Sequence, residues 1–275
     1  MTSFNPSIGC NCSIENRSQI HAYNSPPEGE TKFLIPGSIY NRYYDQCQLC
    51  GHVFGRHSID LSDLYSAEYV NSTYGTKDGM SLRFDKIMSL PKSQSDNQNR
   101  VNRILDFCSR HNSSGKRLLD IGAGLGVFPA VMRQKGWSVT AIEPDARSVS
   151  VIKEKAGVEA LSMSLFDIKQ EDLGLFDLIT FNKVLEHVEN PPVFLAKAAQ
   201  LVAEDGYIYV ELPDIAAASE GMCREEFFIE HHHIFSPASL CILAKASGLM
   251  LKELARFREP SGKFTIAGWM TRNSI

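Results

Sequence analysis

The stretch Leu118-Leu119-Asp120-Ile121-Gly122-Ala123-Gly124-Leu125-Gly126-Val127 decides the fold. An apolar run that ends on an acidic residue, crosses glycines and enters a helix-like segment is a buried strand turning over a ligand at the carboxyl end of an open sheet. Glycines there let the backbone approach that ligand closely. The spacing is Gly-x-Gly-x-Gly, with Asp120 two positions ahead of the first glycine. A dinucleotide fingerprint instead reads Gly-x-Gly-x-x-Gly and seats a pyrophosphate on the helix N-terminus. Asp120 would repel a diphosphate, whereas it favours a ligand carrying an ammonium and a sulfonium and no phosphate. The next strand closes on Ile142-Glu143-Pro144 and puts a second carboxylate where it can accept hydrogen bonds from both hydroxyls of a ribose.

Outward from this loop, strands and helices alternate. Residues 117–121, 138–142, 158–162, 176–181 and 207–211 read as strands, and 127–135, 145–156 and 192–202 as helices. That order predicts an α/β fold, a Rossmann-like doubly wound and mostly parallel sheet covered on both faces. A helix over 237–247 and strands over 249–257 and 265–270 predict an antiparallel last strand. Upstream, Asp96 or Asn97 caps a helix with Val101, Ile104, Leu105 and Cys108 on one face, ending between residues 112 and 115. The domains then fall at 1–60, a small cysteine module; 61–115, a helical linker or lid; and 116–275, the main domain. Tyr65, Tyr69 and Tyr74 read either as a lid over the ligand or as plain core packing.

From Leu118 to about Met270 the chain resembles the class I S-adenosylmethionine-dependent methyltransferases. The resemblance rests on residues 119–126, on Ile142-Glu143-Pro144, on the run from Phe176 through Asn182-Lys183-Val184-Leu185-Glu186-His187 to Pro191, and on Glu204-Asp205-Gly206 before the fifth strand. It implies S-adenosyl-L-methionine as cofactor. Asp120, Gly122, Gly124 and Gly126 would pack around its methionine part, Glu143 would hold the ribose, Ser164 and Leu165 would lie against the adenine, and Asn182 would sit near the methyl. Many relatives carry an aspartate where Ser164 stands, with Asp167 a substitute. The family's turn with two glycines carries Asp205 in place of the first.

Asn190-Pro191-Pro192-Val193 looks like the Asn-Pro-Pro-aromatic signature of amino-methylating nucleic-acid enzymes, but Asn182-Lys183 occupies the strand end where that signature belongs. Asn190 reads as a helix cap, with proline near the first helical position. Methyl transfer from a sulfonium is an in-line displacement, and a hydroxyl or carbon acid acceptor needs a base. The histidines are the catalytic candidates read from the residues, because alternation along an extended segment points His231 and His233 to one side and His232 to the other. One of these histidines equally fits a structural hydrogen bond, and three consecutive histidines rarely reach one metal ion. His187 reads as a structural partner beside the methyl site.

Seven cysteines, an odd number, in a chain without an export signal argue for thiols or metal ligands over disulfides. Cys10-Asn11-Cys12 and Cys47-Gln48-Leu49-Cys50 supply four thiolates, which suits structural Zn2+; an iron–sulfur cluster or a metal-free module remains open, and His52 or His57 can stand in for one thiol. The short strands expected in this module are 32–35 and 38–44. A four-cysteine module, a tyrosine-rich segment and a methyltransferase domain together resemble the sugar C-methyltransferases that act on nucleotide-linked deoxysugars. That resemblance implies base catalysis by a Glu-His pair at Glu230-His231. The chain departs from it in the Cys-x-Cys pair, in Phe228 where a tyrosine is usual, and in ending near Ile275 without a further domain. A saccharide, nucleotide sugar or other small metabolite methylated on oxygen is therefore as well supported as carbon methylation.

The composition, 43% hydrophobic and 22% charged, is that of a globular chain and not a disordered one. A net charge of −4 provides no global field for polyanions. An RNA methyltransferase that grips nucleic acid through the cysteine module is the main competing class. Residues 1–60 carry Arg17, Lys32, Arg42 and Arg56 against Glu15, Glu28, Glu30, Asp45 and Asp60, which is no basic face. A non-catalytic cofactor-binding partner is the third class, disfavoured by the intact glycine loop and the nearby histidines. The first twenty residues have no apolar signal-peptide core, and no uncharged apolar run approaches about 18 residues, so the expected address is the cytoplasm, with no membrane partner.

Overall fold

The computed structural model describes residues 7–10, 14–30, 40–57, 76–111, 113 and 115–273. The first strands, β1 (Arg17–Tyr23), β2 (Arg42–Cys47) and β3 (Val53–His57), form antiparallel pairs. Two helices follow. Thr76 caps α1 (Lys77–Met88), and Ser95, not Asp96 or Asn97, caps α2 (Asp96–Arg110) by accepting a hydrogen bond from the Gln98 amide. The boundary is one residue earlier than expected because a serine oxygen reaches that amide from an extended backbone.

The main sheet has seven strands. In chain order these are β4 (Arg117–Ile121), β5 (Ser138–Ile142), β6 (Glu159–Leu161), β7 (Phe176–Asn182), β8 (Val202–Pro213), and, after the two-residue β9 (His233–Ile234) elsewhere, β10 (Leu249–Arg258) and β11 (Phe264–Arg272). Their spatial order is β10-β11-β8-β7-β4-β5-β6. β4 through β8 pair in parallel, and β11 runs antiparallel to both β8 and β10. Helices α3 (Val127–Gln134), α4 (Ala146–Val151, continued by a π turn over Ile152–Ala156), α5 (Pro191–Ala199) and α6 (Pro237–Ala246) complete the layers. One face of the sheet packs Val131, Phe107, Tyr209 and Trp269 with α1 to α4; the other packs Phe176, Ile208, Leu195 and Leu240 with α5 and α6. Covering both faces is why Leu118, Leu119 and Ile121 of the central β4 are all buried.

Three local expectations shift. The helix expected to reach residue 202 stops at Ala199, because Val202 already pairs with Phe176 and opens β8. Asp205-Gly206 therefore lies inside a long strand, and a Cβ on Gly206 would come within 2.9 Å of the Phe176 carbonyl oxygen. Asn190 does precede α5, but its side chain makes no cap hydrogen bond; Pro191 begins the helix.

The smaller sheet has the order β1-β2-β3-β9. Its last strand comes from the far side of the glycine loop in sequence: Val53 pairs with Ile234 and Phe54 with His233. β1 was not expected from its mostly polar sequence, β2 starts at Arg42, and the anticipated strand 32–35 lies outside the described residues, as do Tyr65, Tyr69 and Tyr74. No helix among the described residues is long and apolar enough to cross a membrane.

Candidate active site

A pocket of about 420 Å³ opens at the carboxyl ends of β4 and β7. β4 has β5 on one side and β7 on the other, so the chain reverses its winding here, the position at which open α/β sheets bind ligands. The glycine loop forms one wall. Gly122, Gly124 and Gly126 have φ of 69°, 55° and 78°, a region that L side chains avoid. A Cβ on Gly122 would meet Val184 at 2.7 Å, and one on Gly126 would meet Ile152 at 2.8 Å.

Asp120 lies at the floor of this loop, 2% exposed. Its Oδ1 accepts hydrogen bonds from the Thr180 hydroxyl at 2.6 Å and the Asn182 amide at 2.9 Å. Burial pushes its carboxyl up to about 7, opposed by the Thr180 bond and by the Arg100 guanidinium. A buried acid held at the edge of ionisation is a seat for a cationic group. Glu143 closes the loop from β5: one carboxylate oxygen accepts the Gly124 amide at 2.9 Å and the other the Asp145 amide at 3.3 Å, and burial raises its carboxyl above the usual range. Asp120, Gly122, Gly124 and Asn182 line the pocket; Gly126 begins the helix beyond it, and Glu143 abuts it through Gly124. Ser164 and Leu165 are not among the lining residues. Ser164 caps a short 3-10 turn, Asp167 turns back to accept the Ser164 amide, and Leu165 is core.

The opposite wall carries the histidines. His231 is drawn into a turn by its amide donating to the Phe228 carbonyl, so the extended alternation expected through His233 does not form. His231 lines the pocket, as do Glu230, Glu186 and His187. His233 lies elsewhere: fully buried in β9, it contacts His52 Nε2 through Nδ1 at 3.0 Å and the Glu189 carbonyl through Nε2 at 3.2 Å. The His231 Nδ1 faces the Glu226 carbonyl at 3.0 Å. A carbonyl only accepts, so Nδ1 carries the proton and Nε2 keeps a lone pair. Burial and the neighbouring His187 hold the His231 imidazole well below its usual range, hence neutral at pH 7. His187 is anchored in the same way, Nδ1 on the Glu230 carbonyl at 3.0 Å, and the two rings stand 4.8 Å apart.

Sequence reasoning passed over three residues of this pocket. Glu186 is fully buried, with no hydrogen-bond partner on either carboxylate oxygen among the described residues; burial raises its carboxyl, and His187 and Lys183 pull it back. Its donor atom, with those of His187 and His231, falls in a group all within 4.8 Å of one another. Lys183 has φ of 61°, the only non-glycine residue described with positive φ, and donates to the Thr265 hydroxyl at 2.8 Å. Arg100 reaches in from α2 while its guanidinium pairs with the buried Glu211 at 2.5 Å. The adjacency of Glu186 to His187 was a visible signal; Arg100 had none, because its partner is on β8.

At the cysteine module, the sulfurs of Cys10, Cys47 and Cys50 converge within 4.8 Å of one another. Cys47 to Gly51 form a tight knuckle, the Gly51 amide donating to the Cys47 carbonyl at 2.8 Å with Gly51 at φ 72°. Cys12 lies outside the described residues. His52 spends both ring nitrogens on Ser239 and His233, away from the thiols.

The family model for a methyltransferase domain matches residues 93–254, more than half of the sequence. The chain belongs to this methyltransferase family. It carries a class I S-adenosylmethionine-dependent methyltransferase domain, preceded by residues outside the family match. A ubiquinone biosynthesis O-methyltransferase from Xanthomonas oryzae is 31% identical over 167 residues, covering 55% of this chain and 70% of that protein. A C-methyltransferase from Streptomyces niveus is 24% identical over 160 residues, 56% of this chain and 38% of that protein. Among solved structures, magnesium protoporphyrin IX methyltransferase from Synechocystis with bound SAH superposes at a TM-score of 0.56 with 14% identity, covering 75% of this chain and 97% of that one. A Burkholderia thailandensis 1,6-didemethyltoxoflavin-N1-methyltransferase gives 0.55 with 16% identity, covering 91% and 100%. At these identities the structural likenesses carry the fold alone.

Proposed function

We propose that this methyltransferase acts on a small polar acceptor, a saccharide or nucleotide-linked sugar methylated on oxygen or carbon, with His231 as the base. The observation that supports it most is the facing of two walls in one pocket: the Asp120 and glycine-loop wall, and the wall of Glu186, His187, Glu230 and His231. When bound, S-adenosylmethionine supplies an electrophilic methyl on a sulfonium. The chain's own part is then to hold that group with Asp120, the glycine loop and Glu143, and to receive the acceptor's proton on the His231 Nε2. Ser164 and Leu165 are assigned to the adenine side, and Glu230 to the acceptor side. His233 has no place in this scheme, because both of its ring nitrogens are engaged away from the pocket.

The lining argues for a polar acceptor. Arg83, Lys183, Glu186, Glu225, Glu226, Glu230 and Lys263 border the same space, which suits hydroxyl and charged groups and disfavours a greasy tail. Zn2+ is the metal we assign to Cys10, Cys12, Cys47 and Cys50, a closed thiolate site with a structural role. We place the protein in the cytoplasm.

The test is native mass spectrometry of the untagged protein, with and without S-adenosylmethionine, followed by incubation with a panel of sugars and nucleotide sugars. One zinc and one cofactor per chain, and a methyl added to a member of the panel, are expected. Absence of zinc from a folded, cofactor-binding protein would remove the metal assignment, and methylation of lipophilic phenols alone would remove the saccharide reading.

A further inference from the structure

We infer that Glu30, which precedes the small sheet's second strand, and Arg42 and Tyr44 on that strand are positioning residues for His231, so the cysteine module supports the active site from behind. This rests on the reading of His231 as the base. None of the three side chains lines the pocket. They act on the backbone that carries the base.

Arg42 and Glu30 form an ion pair at 2.8 Å with both side chains fully buried. The guanidinium lies 4.0 Å from the Tyr23 ring centre and 5.3 Å from that of Tyr44. Glu30 does more than neutralise it. The same oxygen that meets Arg42 accepts the amide of Ile229 at 2.7 Å, and the Tyr40 hydroxyl donates to the other oxygen. Tyr44 donates its hydroxyl to the carbonyl of Phe228 at 3.1 Å, the same carbonyl that accepts the His231 amide at 2.9 Å. One residue beyond the base, the His232 carbonyl accepts the Gly55 amide at 3.0 Å, and the His232 amide donates to the Glu186 backbone carbonyl at 2.8 Å. The turn from Phe228 to His232 is thus gripped on both sides of His231.

The consequence falls on the ring. Its tautomer depends on Nδ1 meeting the Glu226 carbonyl at 3.0 Å, a contact within the same loop. A displacement of Phe228 and Ile229 by a fraction of an ångström breaks that registry, and an unrestrained imidazole puts its proton mainly on Nε2, where it cannot accept one. A buried ion pair is a poor source of stability, since apolar residues of like volume often serve as well. One whose carboxylate also holds the peptide next to the base has a use that apolar residues cannot supply.

The test uses the full-length chain labelled with 15N-histidine and saturated with S-adenosylhomocysteine, read by long-range 1H–15N correlation. The His231 signal is identified by its loss in His231→Gln. A single Nδ1–H tautomer is expected in the wild type. Tyr44→Phe, which removes one oxygen and keeps the ring, and Glu30→Gln are expected to convert it to a mixture of tautomers while the S-adenosylhomocysteine affinity stays unchanged. If Glu30→Gln does not fold, Tyr44→Phe decides. An unaltered single tautomer in the folded variants would reduce these side chains to holding the fold together, and a wild-type His231 without a fixed tautomer would overturn the inference outright. Failure of the wild type to bind S-adenosylhomocysteine is a separate result that strikes the methyltransferase reading itself.

Discussion

The two walls of the pocket are built in different ways. The wall we assign to the cofactor is local: Asp120, Gly122 and Gly124 follow one another in sequence, and Glu143 lies just past the next strand and bonds directly to Gly124. The wall we assign to the acceptor is assembled from afar, with His187 from just past β7, Glu230 and His231 from a loop after β8, and that loop held by Glu30 and Tyr44 near the start of the chain. The first kind of wall needs only a few consecutive residues to form. The second depends on contacts between segments far apart in sequence.

The largest expected effect breaks the two walls apart. His231→Ala should lower turnover on an identified acceptor by about two to four orders of magnitude while leaving cofactor affinity nearly unchanged, measured by steady-state kinetics beside calorimetric titration. A matching loss of cofactor affinity would mean that the walls are one unit, and unchanged turnover would remove His231 from the mechanism.

The same division explains what the sequence could reveal. The alternation of strands and helices after Gly115, the antiparallel β11 and the glycine loop were legible because parallel βα units write their periodicity and turn chemistry into adjacent residues. The placement of His233 was not, because the alternation rule presumes an extended segment, and the Phe228 carbonyl turns the chain at His231 instead. β1 was missed because its stability comes from pairing with β2 and not from its own pattern. The grouping of Cys10 with Cys47 and Cys50 was legible from two close cysteine pairs in one short segment, and their sulfurs do converge; Cys12, expected with them, lies outside the described residues.

Next in size is the joint between α2 and the sheet. Glu211 is fully buried and receives Arg100 at 2.5 Å, Arg103 at 2.6 Å and the Tyr209 hydroxyl at 2.6 Å. Despite burial, the arginines hold its carboxyl down at about 2. With the folded value depressed below the unfolded one, the stability it contributes is complete above the ordinary carboxylate range and is lost as pH falls through 4.5 toward 2. Arg100→Met should cost about 3–5 kcal/mol at pH 7 by urea unfolding, since it leaves a buried charge underpaired. A much smaller loss would show that Arg103 alone suffices. Gly126→Ala should cost less, about 1–2 kcal/mol from the left-handed backbone alone, raised by the 2.8 Å approach to Ile152. A neutral result in the same unfolding assay would mean that the loop relaxes freely.

The smallest effect gives the sharpest view of the cofactor wall. In the free protein Asp120 is held up to about 7, far above its ordinary 3.8, chiefly by burial. The free protein therefore gives up stability as pH rises from the ordinary carboxylate range to about 7, because folding opposes the ionised form. A bound ammonium and sulfonium favour that ionised form and lower the pKa, so binding releases a proton wherever Asp120 is still protonated. Cofactor affinity should rise about tenfold per pH unit below 7 and level off above it, making it roughly tenfold weaker at pH 6 than at pH 8. Calorimetric titrations in buffers of different ionisation heat would count the proton released. Asp120→Asn should weaken binding at pH 8 and flatten the slope, because an amide cannot ionise. The acceptor wall has no part in this, so His231→Ala should keep the full slope. A flat wild-type profile would mean that the cofactor's cationic end does not sit on Asp120, and a slope lost in His231→Ala would mean that the acceptor wall titrates in its place.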